Sequence, residues 1–240
     1  MNKFCKLAAA AALAVAGAGA QAAFVIDDFS APQALITDLT TGDGGVWAAQ
    51  TFNASSIIGG YRDLYIEKTA AVADDGFLGV RAGVGAGSLS YSQDTLQGAF
   101  GFVRWDGVAT GGAIDTSGLG GVDLSTTSVA ISVEVLSADL NFPLTFNVWT
   151  DGDNDSVYTL SSLTKLAGPG PGIFNFMFTD FVGADFSRVG ALELVLNNSA
   201  IVDLDIRIDL IQAVPEPGSL ALVGAALLGL GAARRRAKSA

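Results

Sequence analysis

Apolar and polar residues alternate along most of the chain, with the period of two that β-strands show when one face is buried and the other is solvated. Shorter runs cover residues 129–135, 144–148, 174–178 and 192–196. The longest run has apolar side chains at Val202, Leu204, Ile206, Ile208 and Leu210, separated by aspartate and arginine. Each run is predicted to be a strand whose apolar side chains enter the core.

Turn-forming residues separate these predicted strands. Glycine, proline, asparagine and aspartate cluster at residues 42–45, 118–121 and 168–172, where they favour tight turns. Helical periodicity is nearly absent between residues 24 and 213. Short strands joined by turns at this spacing predict an all-β fold, an antiparallel β-sandwich.

The first 23 residues have the pattern of a secretory signal peptide. Lys3 and Lys6 precede an apolar, alanine-rich run at residues 7–19, and an A-x-A pattern follows at residues 20–22. The alternative is a membrane anchor, but the run is short for one and carries a cleavage pattern. We expect signal peptidase to cleave here, so that the mature chain starts at Ala23 or Phe24.

The far end of the chain combines an apolar run with a basic cluster. Residues 218–233 carry no charge, and Arg234, Arg235 and Arg236 follow. As a helix the run would span about 24 Å, less than the roughly 30 Å of a bilayer core, so it is predicted to insert only transiently. The arginines are expected to stay cytoplasmic, which places the rest of the chain outside the inner membrane.

Two prolines stand just before this run. Pro215, Glu216 and Pro217 cannot continue a strand or enter a helix interior, so they predict an extended spacer that a processing enzyme can reach. This motif, the apolar helix and the arginines together resemble the PEP-CTERM sorting signal. The resemblance implies processing by an exosortase of a Gram-negative bacterium that makes exopolysaccharide. An ordinary C-terminal anchor is the alternative.

These assignments divide the chain into a signal peptide at residues 1–23, an ectodomain at 24–213 and a sorting signal at 214–240. The ectodomain contains 23 acidic and 7 basic side chains, a net charge of −16. Such a domain repels nucleic acid and anionic lipid, so neither is expected as its partner. The chain has no histidine, which excludes a Ser-His-Asp triad and a histidine-ligated zinc site.

The ectodomain also has short motifs at residues 25–29, 58–63, 122–125 and 206–211. Their order is similar to that in jelly-roll domains of the galactose-binding-like type, which include many carbohydrate-binding modules. The resemblance implies a jelly-roll-like sandwich in which the first and last strands are neighbours. It further implies that Asp28 and Asp209 lie close together at a structural calcium site.

Two further groups of residues are candidate binding sites. Asp151, Asp153 and Asp155 alternate along one loop and could supply oxygen ligands to calcium, although an acidic hairpin turn explains them as well. Trp149 and Trp105 are candidate sugar contacts, because the faces of aromatic rings pack against sugar C–H groups. Ordinary core packing is the alternative for both rings.

The sequence therefore predicts an exported surface protein that is not an enzyme. Its predicted role is a structural or adhesive component associated with exopolysaccharide. A carbohydrate-binding module that docks to this polysaccharide is the main alternative, and a glycan-active enzyme and an ice-binding protein are weaker ones. The regular Thr-x-Thr ladders that an ice-binding surface needs are missing from the sequence.

Overall fold

Thirteen strands form two antiparallel sheets in the computed structural model, which describes residues 22–50, 52–71, 79–94, 97–151 and 157–215. The strands of the first sheet are β1 (Phe24–Asp27), β2 (Gln33–Asp38), β5 (Val80–Gly85), β6 (Ser88–Gln93), β8 (Ala130–Ala138), β11 (Gly172–Met177) and β13 (Asp205–Val214). The strands of the second sheet are β3 (Val46–Ala49), β4 (Asp63–Ala71), β7 (Gln97–Trp105), β9 (Phe142–Thr150), β10 (Thr159–Ala167) and β12 (Val189–Val202).

The chain crosses repeatedly between the two sheets. The first sheet has the order β11-β8-β13-β6-β5-β2, with β1 also beside β13, and the second has the order β10-β9-β12-β7-β4-β3. This arrangement confirms the predicted antiparallel, jelly-roll-like β-sandwich. The first and last strands are neighbours, as the resemblance implied, because Phe24 pairs with Ala213.

The core lies between the sheets and contains the inward side chains of the predicted strands. In β9, Leu144, Phe146 and Val148 are fully buried, whereas Thr145 and Asn147 on the opposite face are partly exposed. The leucines predicted to be buried at 192, 194 and 196 in β12 are also fully buried. Alternation in these strands thus located the core face correctly.

The alternation in β13 is interrupted by a bulge. Ile208 pairs with Val135 and Leu210 with Glu134, so Asp209 is an extra residue with no partner in β8. A bulge reverses which side chains face inward beyond it. The prediction that Leu210 enters the core is therefore wrong: Leu210 is half-buried, and Ile211 and Ala213 are fully buried instead.

Residues Ala23–Val214 make up one compact unit. Most of the two predicted targeting signals lies outside the described residues: residues 1–21 of the signal peptide, and residues 216–240 of the sorting signal, with Glu216, Pro217 and the three arginines. Within the described ranges, no helix has the length and apolar character needed to cross a membrane.

Candidate functional site

The outer face of the second sheet carries polar and aromatic side chains in rows that cross the strands. Ser162 of β10, Asn147 of β9, Glu193 of β12 and Arg104 of β7 occupy paired positions on neighbouring strands. We call these four residues the polar row. Cross-strand pairs on one face lie close enough to interact directly.

Hydrogen bonds connect every member of the polar row. The Ser162 hydroxyl donates to Asn147 Oδ1 over 2.6 Å, and Asn147 Nδ2 donates to Glu193 Oε1 over 2.9 Å. Arg104 donates to Glu193 Oε2 through Nε at 3.0 Å and through Nη2 at 2.8 Å. The row is therefore a fixed chain of donors and acceptors that crosses four strands.

A second row lies beside the first and is mainly aromatic. Val195, Phe102, Tyr65 and Trp47 occupy paired positions on β12, β7, β4 and β3. The Tyr65 ring stacks on Phe102 with centroids 5.0 Å apart and contacts Trp47 at 4.7 Å. The Arg104 guanidinium lies over Phe102 at 4.7 Å, so the two rows pack against each other.

Two glycine-rich loops cover the aromatic row. The Tyr65 hydroxyl donates to the Gly44 carbonyl over 3.1 Å, and Arg104 Nη1 donates to the Gly112 carbonyl over 2.8 Å. Tyr65 and Phe102 are consequently buried. The accessible part of the face lies on β9 and β10, where Thr145 and Asn147 are half-buried and Ser162 and Thr164 are exposed.

Trp149 lies in this accessible part. It points outward from β9, is half-buried, and pairs with Leu160 on one side and the small Ala191 on the other. On β9 it is the next outward residue after Asn147. The structure thus places a predicted sugar-contact residue directly beside the polar row.

Trp105, the other predicted sugar contact, lies elsewhere. It is fully buried between the sheets, and its Nε1 donates to Asp27 Oδ2 over 2.8 Å. It points to the face of β7 opposite to that of Arg104, so no ligand on the surface can reach its ring. The prediction that Trp105 is an exposed sugar contact is therefore wrong, and core packing explains this residue.

The structure describes three of the five predicted calcium ligands, Asp28, Asp151 and Asp209. Asp151 is buried and accepts a hydrogen bond from Arg188 Nη2, and Asp153 and Asp155 lie outside the described residues. Asp28 accepts a hydrogen bond from the Ser30 backbone N–H, whereas Asp209 is the bulge residue of β13. Among the described residues, no group of three or more acidic, cysteine or histidine side chains could hold a metal ion. Both calcium sites remain predictions.

Asp63 anchors the second loop that covers the face. Its Oδ2 accepts a hydrogen bond from the Gly111 backbone N–H over 3.0 Å, whereas its buried Oδ1 has no hydrogen-bond partner among the described residues. Burial raises the pKa of Asp63 to about 6, and the carboxylate of Asp106 adds to this increase. This carboxylate therefore titrates close to neutral pH.

The polar row was not predicted. Its members were visible in the sequence only as polar residues at outward positions of separate strands. Arg104 and Glu193 are 89 positions apart, and only the pairing of β7 with β12 brings them together.

The C-terminal end of the chain matches a known motif. Residues 213–236 match the family model of the PEP-CTERM protein-sorting motif, which confirms the predicted sorting signal. The motif indicates an exported protein that an exosortase sorts to the cell surface. Comparison with curated proteins gave no match.

The chain is similar to several solved structures. The family 11 carbohydrate-binding module from Clostridium thermocellum, in complex with a beta-1,3-1,4-mixed-linked tetrasaccharide, is 7% identical, with 78% of this chain and 98% of that chain covered and a TM-score of 0.36. The family 11 module of a cellulosomal cellulase from the same organism is 9% identical, with 82% and 96% covered and a TM-score of 0.39. A family 4 module (CBM4) is 13% identical, with 75% and 100% covered and a TM-score of 0.35. At such values, we transfer neither residues nor activity from these modules.

Proposed function

We propose that this protein is a non-enzymatic structural or adhesive component of the cell surface that is associated with exopolysaccharide. In this proposal, Trp149 and the accessible members of the polar row, Asn147 and Ser162, form the surface that contacts the glycan. Glu193 and Arg104 are buried and hold this surface in place from below. The protein would leave the cytoplasm through its signal peptide, pause in the inner membrane of a Gram-negative bacterium and be released by exosortase.

The observation that carries the proposal is the connected polar row beside a half-exposed tryptophan. Sugars present hydroxyl groups around the ring and C–H groups on its faces. The row supplies both donors and acceptors on rigid strands, and the Trp149 ring supplies an apolar surface. Because the side chains of the row are already hydrogen-bonded, little conformational entropy is lost when a ligand binds.

The same geometry favours binding over catalysis. Glycosidases generally need two carboxyl groups, one on each side of the bond that they cleave. Glu193 is the carboxylate of the polar row, and its two oxygens accept hydrogen bonds from Asn147 and Arg104. Glu193 therefore holds the neighbouring Arg104 guanidinium in place. The neighbouring carboxyl group, that of Asp63 on β4, is buried and accepts a hydrogen bond from the Gly111 N–H.

Replacing Trp149 with alanine tests the proposal. The mature protein is run in native gels that contain exopolysaccharide from its producing bacterium, and retardation gives the affinity. Trp149→Ala is expected to weaken binding about tenfold or more, since buried aromatic anchors dominate most binding surfaces. Val182→Ala is the control, because Val182 is 91% exposed and outside the face. Equal retardation of Trp149→Ala and the parent protein would contradict the proposed surface.

A further inference from the structure

The basic side chains of the domain are already engaged within the protein. Arg62 pairs with Asp27, Arg104 with Glu193, Arg188 with Asp151, and Lys165 more weakly with Asp180. Lys68 donates to the Leu39 carbonyl over 3.0 Å. The remaining two, Arg81 and Arg207, donate to serine hydroxyls of β6 in the first sheet.

Among the described strands of the second sheet, Arg104 is the basic residue whose side chain lies on the outer face. Arg188, just before β12, lies near Trp149 and is paired with Asp151. Among the described strands of the second sheet, Lys68 and Lys165 point inward, and no other basic side chain points to the outer face. Three N–H groups of the Arg104 guanidinium donate to Glu193 and to the Gly112 carbonyl, and the ring of Phe102 lies beneath it. Its charge is therefore neutralised before any ligand arrives.

The surroundings of the polar row add negative charge. Glu67 and Asp63 belong to β4 in the same sheet, and the ectodomain as a whole carries a net charge of −16. A carboxylate or sulfate group brought to this surface would find no unpaired cation and would be repelled by the acidic domain. Hydroxyl groups of an uncharged sugar meet no such cost.

We propose that the outer face selects glycans without charged groups, and that Glu193 determines this specificity by neutralising Arg104. This inference rests on the proposed function, because it concerns the ligand of the same surface. It goes beyond the proposed function by naming the chemical class of the glycan and by identifying Glu193 as the residue that determines this specificity.

A matched set of polysaccharides tests the inference. Exopolysaccharide from the producing bacterium is divided into three samples, one of which is left native. In the reduced form the carboxyl groups are converted to alcohols, and in the oxidised form the primary alcohols are converted to carboxylates. Binding of the mature protein is measured with a chelator present, so that divalent cations cannot bridge two carboxylates. We expect the reduced form to bind at least as tightly as the native one, and the oxidised form about tenfold more weakly or worse.

The outcomes separate this inference from the proposed function. Tight, salt-sensitive binding of the oxidised form would overturn the selectivity and leave glycan binding in place. If that binding were lost in Arg207→Gln, the ligand would lie on the first sheet and the proposed face would be wrong. Failure of all three forms to bind would overturn both proposals.

Two substitutions test the role of Glu193. Glu193→Gln keeps the shape of the side chain and removes the carboxylate that pairs with Arg104, so the outer face becomes more positive by one charge and binding of the oxidised form is expected to rise about tenfold. Glu193→Asp retains the charge and should retain the selectivity. Unchanged selectivity in a folded Glu193→Gln protein would contradict the assigned role.

A second pair of variants keeps the test informative if Glu193→Gln does not fold. Thr145→Lys adds a cation to the accessible part of the face, whereas Ile173→Lys adds one at a 64% exposed position on β11 of the other sheet. Both change the net charge equally. Only Thr145→Lys is expected to increase binding of the oxidised form, and equal increases in both variants would overturn the selectivity of the face.

Discussion

At the scale of single residues, Arg62 and Asp27 form an ion pair inside the domain. Both side chains are fully buried, and Arg62 Nη1 donates to Asp27 Oδ1 at 2.9 Å and Oδ2 at 2.8 Å. Asp27 also accepts from Trp105 Nε1, and Arg62 Nη2 donates to the Ala31 carbonyl over 2.7 Å. Through these contacts Asp27 of β1 is joined to Arg62, the residue before β4, and to Trp105 of β7.

Removing one partner of this pair should strongly destabilise the domain. Arg62→Ala leaves the Asp27 carboxylate buried without its counter-ion, and the expected loss is about 3–5 kcal/mol in the free energy of unfolding. Urea unfolding of the mature protein measures this loss. Arg207→Ala removes an exposed arginine and should change stability by less than about 0.5 kcal/mol. Similar losses in the two variants would show that the buried pair has no special role.

Asp63 makes the stability of the domain depend on pH. Its pKa is raised from 3.8 to about 6 by burial, so folding favours the protonated carboxyl group. The stabilising contribution is therefore complete below about pH 4 and is lost as the pH rises through about 6. Asp63→Asn should remove this dependence. Between pH 4 and 7, the variant should gain on the order of 2 kcal/mol relative to the parent protein. Parallel stability curves for the two proteins would contradict the raised pKa.

At the scale of secondary-structure elements, β12 depends on a glycine for its contact with the loop at residues 106–121. The Leu119 backbone N–H donates to the Gly190 carbonyl over 2.8 Å. A Cβ atom at position 190 would overlap the Thr116 carbonyl oxygen and the Tyr158 ring. The glycine therefore lets the loop approach the strand that carries Glu193.

A pair of glycine variants tests this contact. Gly190→Ala should push the loop away and lower the free energy of unfolding by roughly 1–3 kcal/mol, as overpacking does elsewhere. Gly85→Ala at the end of β5 is the matched control, because its new Cβ atom would meet nothing within 4 Å. Thermal unfolding compares the two. A Gly190→Ala protein as stable as Gly85→Ala would show that the loop is not held against β12 as described.

At the scale of the whole molecule, the folded body and the sorting motif adjoin in the chain. Val214 is the last residue of β13, its carbonyl accepts from the Val129 backbone N–H over 2.9 Å, and Pro215 follows directly. The matched motif at residues 213–236 overlaps the end of that strand. The sorting motif therefore begins at the end of a strand in the interior of the first sheet.

Mass spectrometry of the mature protein tests the processing of both ends. Protein isolated from the cell surface is expected to begin at Ala23 or Phe24 and to lack Arg234, Arg235 and Arg236. A variant with Pro215 and Pro217 replaced by alanine should keep its arginines and stay in the membrane fraction. Native surface protein that still ends in these arginines would instead be a tethered domain.

Local pattern in the sequence predicted most of the elements of this fold. Period-two alternation identified β9 and β12, because each of these strands buries one face, and the alternation that results does not depend on which strand lies beside it. The sorting motif was equally readable, since length, charge and proline content act locally. The signal peptide rests on the same kind of local pattern and stays a prediction. Alternation failed at two positions of the run from Val202 to Leu210. Val202 ends β12 and is 41% exposed, and a bulge at Asp209, which no local pattern predicts, exchanges the two faces of β13 before Leu210.

The sequence by itself determined that this chain is an acidic β-sandwich with a sorting signal at its C-terminal end. Only the tertiary structure decided which outward residues form a surface. It buried Trp105, left Trp149 half-exposed, and joined Arg104, Asn147, Ser162 and Glu193 in one row. The physical reason is that strand pairing brings together residues far apart in the chain, and the register of that pairing results from the packing of the entire core.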